Sequence, residues 1–560
     1  MDDRAGHPRS RLTHSVQRFG KAFALLLLML SLVVPTTLIA SERASFAATP
    51  EASRVASREA SPVANRVAGS TPTVDTRDPR RDPRFATIKP ELRDQVSARI
   101  GDDLSSYAIV AALRVGQRPG IDGTESIDYV NSTGGTLTTL PFRLYANGAN
   151  EDIDSVVVDD VTVDGTAVEP ELAVANSVMT LPLPEPLVAG SKIAISLSFS
   201  ATLPIDTSDH YGIFGIDTAT GSWALAHWYP IVAGWDPANG WELDPTSVNG
   251  DPIFSNTALY DVTISTPDTW AVVTTGNVIE NRLAGLAGSE RTRRFLTGPV
   301  RDFTIVADSD FESTSTVVDG TVVTSWFNPG TEQVGRAVLT YAAKSLALYN
   351  SLIGAYPYIE FDVVPVELYG AAGVEFPQMI YIGQSYYVGD QVPSEPSYLD
   401  FTVAHEVLHQ WWYGLVGNNQ YIHAFTDEGL TNFISSNVYF TRVYNADYGD
   451  RTFDDAAAAP FKATVARGED QIVDQPTDDF PSERAYVYAA YSKAPMGFSA
   501  IYNEIGDKAF FEALHAYFQT FEFGIAQPDD LLAAFEKASG KDLHELWDHW
   551  FQQAAGKDDI

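Results

Sequence analysis

Two histidines four residues apart constrain this chain more than any other feature of it. His405, Glu406 and His409 spell HEVLH within the stretch Leu399 to Gly429. The apolar positions Phe401, Val403, Ala404, Val407, Leu408, Trp411, Trp412 and Leu415 recur at helical spacing, which predicts one amphipathic helix through the run. Side chains four apart on a helix stand one above the other, so both imidazoles face a single point. Neutral ring nitrogens at about 2.0–2.1 Å from a zinc ion are a natural outcome of that placement. Glu406 lies beside the first imidazole, where its carboxylate reaches water at such an ion without being a ligand, the position of a general base. A third ligand should be another histidine or a carboxylate, and Glu428 follows His409 by nineteen residues. Thr426 reads as the N-cap of a second helix, with Asp427 and Glu428 in its first turn and Leu430, Phe433, Ile434 and Val438 as its apolar stripe. Histidines on an apolar face often serve only as core residues. Here the helical context and the spaced glutamate favour one zinc ion per chain, with a fourth position left open as in catalytic sites.

The rest of the chain reads as scaffold. Its 560 residues are too many for one ordinary domain, and 45% hydrophobic with 11% aromatic residues suffice for several cores. The net charge of −36 is uneven: residues 1–90 hold 14 Lys or Arg against 8 Asp or Glu, leaving about −42 on the remainder. That acidic body argues against nucleic acid or anionic lipid as a partner of its main surface. Residues 1–40 read as a signal peptide or membrane anchor, with Arg4, Arg9, Arg11, Arg18 and Lys21 before the apolar run Ala22 to Ala40. Export to the cell surface or beyond is expected, with membrane contact only through this segment if it stays uncleaved. The absence of cysteine excludes a lipid-modified cysteine and any disulfide. Residues 41–95, rich in Ala, Ser, Pro and Arg, read as a disordered linker.

Residues 96–315 predict an antiparallel β-sandwich. DSVVVDDVTVDGTAV carries Val-rich runs about the Asp164, Gly165 turn, and Tyr260, Val262 and Ile264 alternate along YDVTISTP. Residues 316–560 predict a mostly helical domain: a hairpin at Asp319 and Gly320, a long helix from about Thr331 to Ile353, buried strands in FDVVPVEL and MIYIG, and a helical carboxy-terminal part. Glu375 lies between the two strands, and a carboxylate in so apolar a stretch is costly to bury unpaired, which turns it toward a cleft. His515, His544 and His549 have no HExxH-like partner and read as packing or surface residues.

HEVLH, followed after eighteen residues by Glu428 in DEGL, with QWW directly after the second histidine, resembles the aminopeptidase N family of zinc metallopeptidases, in a short bacterial form. Two further stretches carry the resemblance. Gly373, Val374, Glu375, Phe376 and Pro377 stand where the family has GxMEN or a GMEYP-like form; Tyr491, Ser492, Lys493 and Ala494 match its YxKG pattern except at the last position. The resemblance implies that Glu375, with Gly373 beside it, holds the substrate's amino terminus and that Tyr491 donates to the oxyanion, with Tyr486 and Tyr488 weaker candidates. It also implies that the amino-terminal β-sandwich packs on a thermolysin-like catalytic domain, giving a multidomain α+β fold. The stretch WYPIVAGWD around Trp228, Tyr229 and Pro230 resembles part of that first domain. Many relatives carry an acidic residue seven positions after the third ligand, supporting the metal; this chain has Ser435, and a substitute must come from elsewhere. The expected activity is aminopeptidase action on peptides with a free amino terminus, in a cleft more open than in longer relatives. A zinc endopeptidase, an epoxide hydrolase as in a minor branch of the family, and a non-catalytic zinc- or peptide-binding surface protein are the alternatives. Nothing in the sequence sets an oligomeric state.

Overall fold

Strict alternation of apolar and polar residues builds the first half of the folded chain into sheets. The computed structural model describes residues 82–560 apart from 102–103, 149–154, 251–252 and 285–288, and the leader and most of the linker lie outside them. Thr76–Ile560 form one compact unit. Among the described residues the largest sheet runs in the order Asn277–Ala284, Glu290–Val300, Ala258–Pro267, Ser106–Arg114, Gly120–Val130, Lys192–Thr202, Val156–Val163, Thr166–Ala167. Its pairings are antiparallel except one: Ser106–Arg114 runs parallel to Ala258–Pro267, with Tyr107 opposite Tyr260 and Ile109 opposite Val262. The alternating residues Tyr107, Ile109, Ala111, Tyr260, Val262 and Ile264 are all buried on one face. They share a core with Leu140, Phe142, Met179 and Leu181 of a second sheet, so the two layers are held by a common apolar interior. Trp228 and Tyr229 serve this core: the indole donates to the Phe303 carbonyl at 2.9 Å and the phenol meets the Tyr260 hydroxyl at 3.0 Å.

Residues within the expected linker are part of the fold. Phe85 and Ile88 are buried, and Arg93–Ile100 form a helix that buries Val96. A few apolar residues thus anchor the last part of the expected linker, a signal that average composition dilutes.

A mixed sheet follows, ordered Glu312–Val318, Thr321–Phe327, Glu360–Val366, Met379–Gly383, Gly373–Phe376. Asp319 and Gly320, at φ 46° and 83°, make the tight hairpin turn. The helix Glu332–Leu352 is the crossover that the parallel pairing of Thr321–Phe327 with Glu360–Val366 requires. The second half is otherwise helical, including Asp507–Phe521 and Pro528–Ser539, the latter stopped by Gly540 in the left-handed region. Arg301 joins the halves. This buried guanidinium donates to the carbonyls of Ser255, Tyr413 and Gly524 at 3.0, 2.6 and 2.5 Å, three segments far apart in sequence.

Candidate metal centre

The first two site residues come from the helix Tyr398–Leu408, which Ser397 caps by accepting from the Asp400 amide at 3.2 Å. The helix is buried all round rather than amphipathic, and it ends at Leu408 with His409 as its C-cap, earlier than the expected run to Leu415. Tyr413 takes φ 86°, which no helix accommodates, so Trp411, Trp412 and Leu415 reach the core from turns instead. One helical turn still suffices to stack the imidazoles. Glu428 opens the short helix Glu428–Phe433. Thr426 does not cap it: the Thr426 hydroxyl donates to the His423 carbonyl at 3.0 Å from within a 3-10 turn, and Asp427 occupies the cap position without a capping bond.

Three donor atoms converge. His405 Nε2 lies 3.1 Å from both His409 Nε2 and Glu428 Oε2, and His409 Nε2 lies 3.4 Å from Glu428 Oε2. Nitrogen and oxygen ligands at zinc's usual bond length stand roughly 3.3 Å apart in a tetrahedral site, so the trio fits that ion without rearrangement. Charge argues the same way. Glu375, Glu406, Asp427 and Glu428 are four buried carboxylates around two imidazoles, an arrangement that calls for a cation. Burial lowers the pKa of His405, with the His409 charge adding to the effect. Burial would lower His409 too, but Glu375, Asp427 and Glu428 outweigh it and hold that ring well above its ordinary value. Against the rise that burial alone would cause, His409 and His405 pull Glu428 below the usual carboxylate range.

The flanking motifs arrive at the same place. Tyr491 donates its hydroxyl hydrogen to Glu428 Oε1, and its ring stacks on His405 with centroids 6.1 Å apart. It sits in a π-helical turn, Ala489–Lys493, whose displaced Tyr491 carbonyl accepts from Asn432 Nδ2 at 2.6 Å. Tyr488 instead donates to Asp470 at 2.6 Å, and Tyr486 packs edge-on against Tyr491. Glu375 belongs to the edge strand Gly373–Phe376 rather than to a loop, with Oε1 3.8 Å from His409 Nδ1. Gly373, two residues earlier, faces Glu406: a Cβ there would come within 2.5 Å of Glu406 Cγ and Oε1. His515 bonds the Ile353 carbonyl at 2.6 Å, while His544 lies with Glu536 and Asp542 in an exposed cluster and His549 pairs with Asp559.

Sequence reasoning passed over several supporting residues. Gln410 ties the metal helix to the edge strand, donating to the Phe376 carbonyl and accepting from the Gln378 amide, both at 2.9 Å. Its position directly after His409 was the only signal. Asp427, a first-turn charge by its place in the sequence, lies 2.7 Å from His409 Nδ1. Ser435 turns out to face the other imidazole, its Oγ 3.4 Å from His405 Nδ1.

A β-rich half joined to a helical half, with two histidines at the end of one helix and a glutamate at the start of a later one converging on one point, defines a two-domain, thermolysin-like zinc metallopeptidase fold. Comparison with known proteins agrees. Residues 338–550 match the model of the peptidase family M1 domain. Aminopeptidase M1-A of Oryza sativa subsp. japonica is 22% identical over 305 residues, 53% of this chain and 34% of that protein. Puromycin-sensitive aminopeptidase of Caenorhabditis elegans is 23% identical over 313 residues, 54% of this chain and 32% of its own length. The chain thus matches about a third of the length of these curated relatives. Among solved structures, an M1 zinc metallopeptidase from Deinococcus radiodurans superposes with a TM-score of 0.57 at 15% identity, covering 80% of this chain and 93% of that one. A mutant of that protein, solved bound to a Tyr-Ser-Ala substrate, gives 0.56 at 14% identity over 80% and 93%. Residues 338–550 are thus similar to the peptidase family M1 domain, and about half of the chain is similar to aminopeptidases that carry it.

Proposed function

We propose that this protein is an exported zinc aminopeptidase that removes residues from the amino terminus of peptides. The observation that carries the reading is the buried Glu375 carboxylate, 3.8 Å from the ring of a metal-binding histidine. A carboxylate fixed so close to the reacting centre pairs with a substrate ammonium group and sets which peptide bond reaches the water. The substrate-bound Deinococcus relative and the aminopeptidase relatives support peptides as the substrate class. The basic leader and the apolar run Ala22 to Ala40 support export, as a cleaved or a tethered protein.

His405, His409 and Glu428 would hold the zinc ion, which supplies Lewis acidity and brings the pKa of bound water toward neutrality. Glu406 accepts the proton of the attacking water as oxygen adds to the scissile carbonyl. The Tyr491 hydroxyl, already beside Glu428, donates to the developing oxyanion, a contribution of about 3 kcal/mol for one well-placed donor. Glu406 then passes its proton to the leaving amine, which departs as the carbon–nitrogen bond breaks. Glu375 keeps the register throughout.

Aminoacyl fluorogenic substrates, free and amino-acetylated, assayed with and without a chelator, test this. Cleavage of free substrates only, abolished by the chelator, is expected. Equal cleavage of acetylated peptides would favour the endopeptidase reading, and zinc binding without turnover would favour a binding protein. Amino-terminal sequencing of protein recovered from the cell exterior tests export.

A further inference from the structure

Each imidazole has a second nitrogen facing away from the donor cluster, and the two are held differently. His409 Nδ1 lies 2.7 Å from Asp427 Oδ1, and the other Asp427 oxygen accepts from Gln420 Nε2 at 2.7 Å. All three residues are buried. The Asp427 carboxylate is placed to accept from Nδ1, and this contact turns Nε2 toward the cluster. The Trp412 carbonyl, 3.2 Å from the same nitrogen, is a longer second acceptor. His405 has only a hydroxyl: Ser435 Oγ lies 3.4 Å from its Nδ1 and has its own hydrogen directed at the Thr431 carbonyl, 2.7 Å away. One ring is therefore backed by a close carboxylate that Gln420 keeps in place, with Glu375 Oε1 farther off at 3.8 Å from the same nitrogen, and the other by a long bond to a neutral oxygen.

The geometry points to Asp427 as the positioning residue of this metal centre, acting through His409: it fixes the tautomer and orientation of that ring and strengthens its nitrogen as a donor. Support is one-sided, since Ser435 contributes little behind His405. The inference rests on the zinc-binding reading above and extends it to a residue that touches neither metal nor substrate.

The test is zinc affinity, measured on metal-stripped protein by competition with a chromophoric chelator and read beside the thermal midpoint of the stripped protein. Asp427→Asn preserves shape and an acceptor while removing the charge. It is expected to weaken zinc binding about 10- to 100-fold with the stripped midpoint unchanged, the range found when partners of metal-bound histidines are lost. Asp427→Glu should recover part of the loss, and Ser435→Ala should cost less than Asp427→Asn. Gln420→Ala, which leaves the carboxylate and frees one oxygen, should weaken binding by a smaller factor and serves if Asp427→Asn does not fold. Unchanged affinity in both Asp427→Asn and Gln420→Ala, or a larger loss in Ser435→Ala, would overturn the inference and leave the zinc reading standing. Failure of the unmodified protein to bind zinc would overturn both.

Discussion

Glu406 occupies the space that a side chain at Gly373 would take. A methyl group there would sit 2.5 Å from Glu406 Cγ and Oε1, and the atoms in its way belong to a flexible side chain rather than to backbone. Gly373→Ala is thus expected to move the carboxylate and leave the fold alone. A misplacement of about 1 Å costs up to about 10²-fold in rate. The variant should retain zinc by metal analysis and keep its unfolding temperature while kcat falls by about that factor. Glu406→Gln removes the carboxylate proposed as the base: zinc content unchanged and kcat lower by about 10²–10⁴-fold is the expectation, checked by metal analysis and steady-state kinetics. Unchanged turnover would refute the assigned role. The residues of this scale that could be read from the chain are those with local spacing. His405 and His409 are related by one helical turn, and Glu428 by a fixed count. Asp427 and Gln410 matter through partners that only the fold brings near, so no local pattern marks them, and the GxMEN-like pattern marks Gly373 without showing its contact with Glu406.

At the scale of elements, the site hangs on helices that approach closely. Gly429, next to the third donor, faces Ala494 across a helix contact in which a Cβ at position 429 would lie 2.5 Å from the Ala494 Cβ. The alanine that departs from the YxKG pattern thus meets a glycine, and the pair keeps the helices of Glu428 and Tyr491 together. Gly429→Ala should force them apart, costing about 1–3 kcal/mol in thermal or denaturant unfolding. Adding Ala494→Gly should return part of that loss, since the two methyl groups are in direct conflict and their effects are coupled. Both strands around Glu375 and the long crossover helix were legible because their apolar runs and periodicity are local. The end of the metal helix was not. Trp411, Trp412 and Leu415 continue the apolar period, and what stops the helix is the backbone at Tyr413, held by Arg301 from the other half of the chain. Composition likewise hid the anchoring of residues 82–95, where Phe85 and Ile88 are buried apolar side chains in a polar stretch.

For the whole molecule, the many acids are not all on the surface. Asp302, beside Arg301 at the junction of the halves, has its carboxyl pushed up to about 7, chiefly by burial, while the Tyr413 hydroxyl that donates to it pulls the other way. Burial likewise pushes Asp362, Glu242 and Glu522 up to about 7, against the pull of Arg143 on Glu242 and of Arg99 on Glu522. In the unfolded chain these groups titrate at about 4. Between about pH 4 and pH 7 the folded protein therefore holds protons that the unfolded chain has released, and stability falls as pH rises through this window. Their contribution is fully present below about pH 4, lost as pH passes about 7, and constant above. The net charge of −36 acts in the same direction, because deprotonating buried acids adds to the self-repulsion of an already anionic body. Thermal unfolding of zinc-loaded protein at fixed ionic strength should show a midpoint at pH 5.5 at least about 3 °C above that at pH 8.5. Asp302→Asn, neutral at every pH, should reduce the difference between the two midpoints. A midpoint that rises from pH 5.5 to 8.5 would mean that these carboxyls are ionised in the folded state throughout, and that Arg301 and the surrounding hydroxyls compensate their burial.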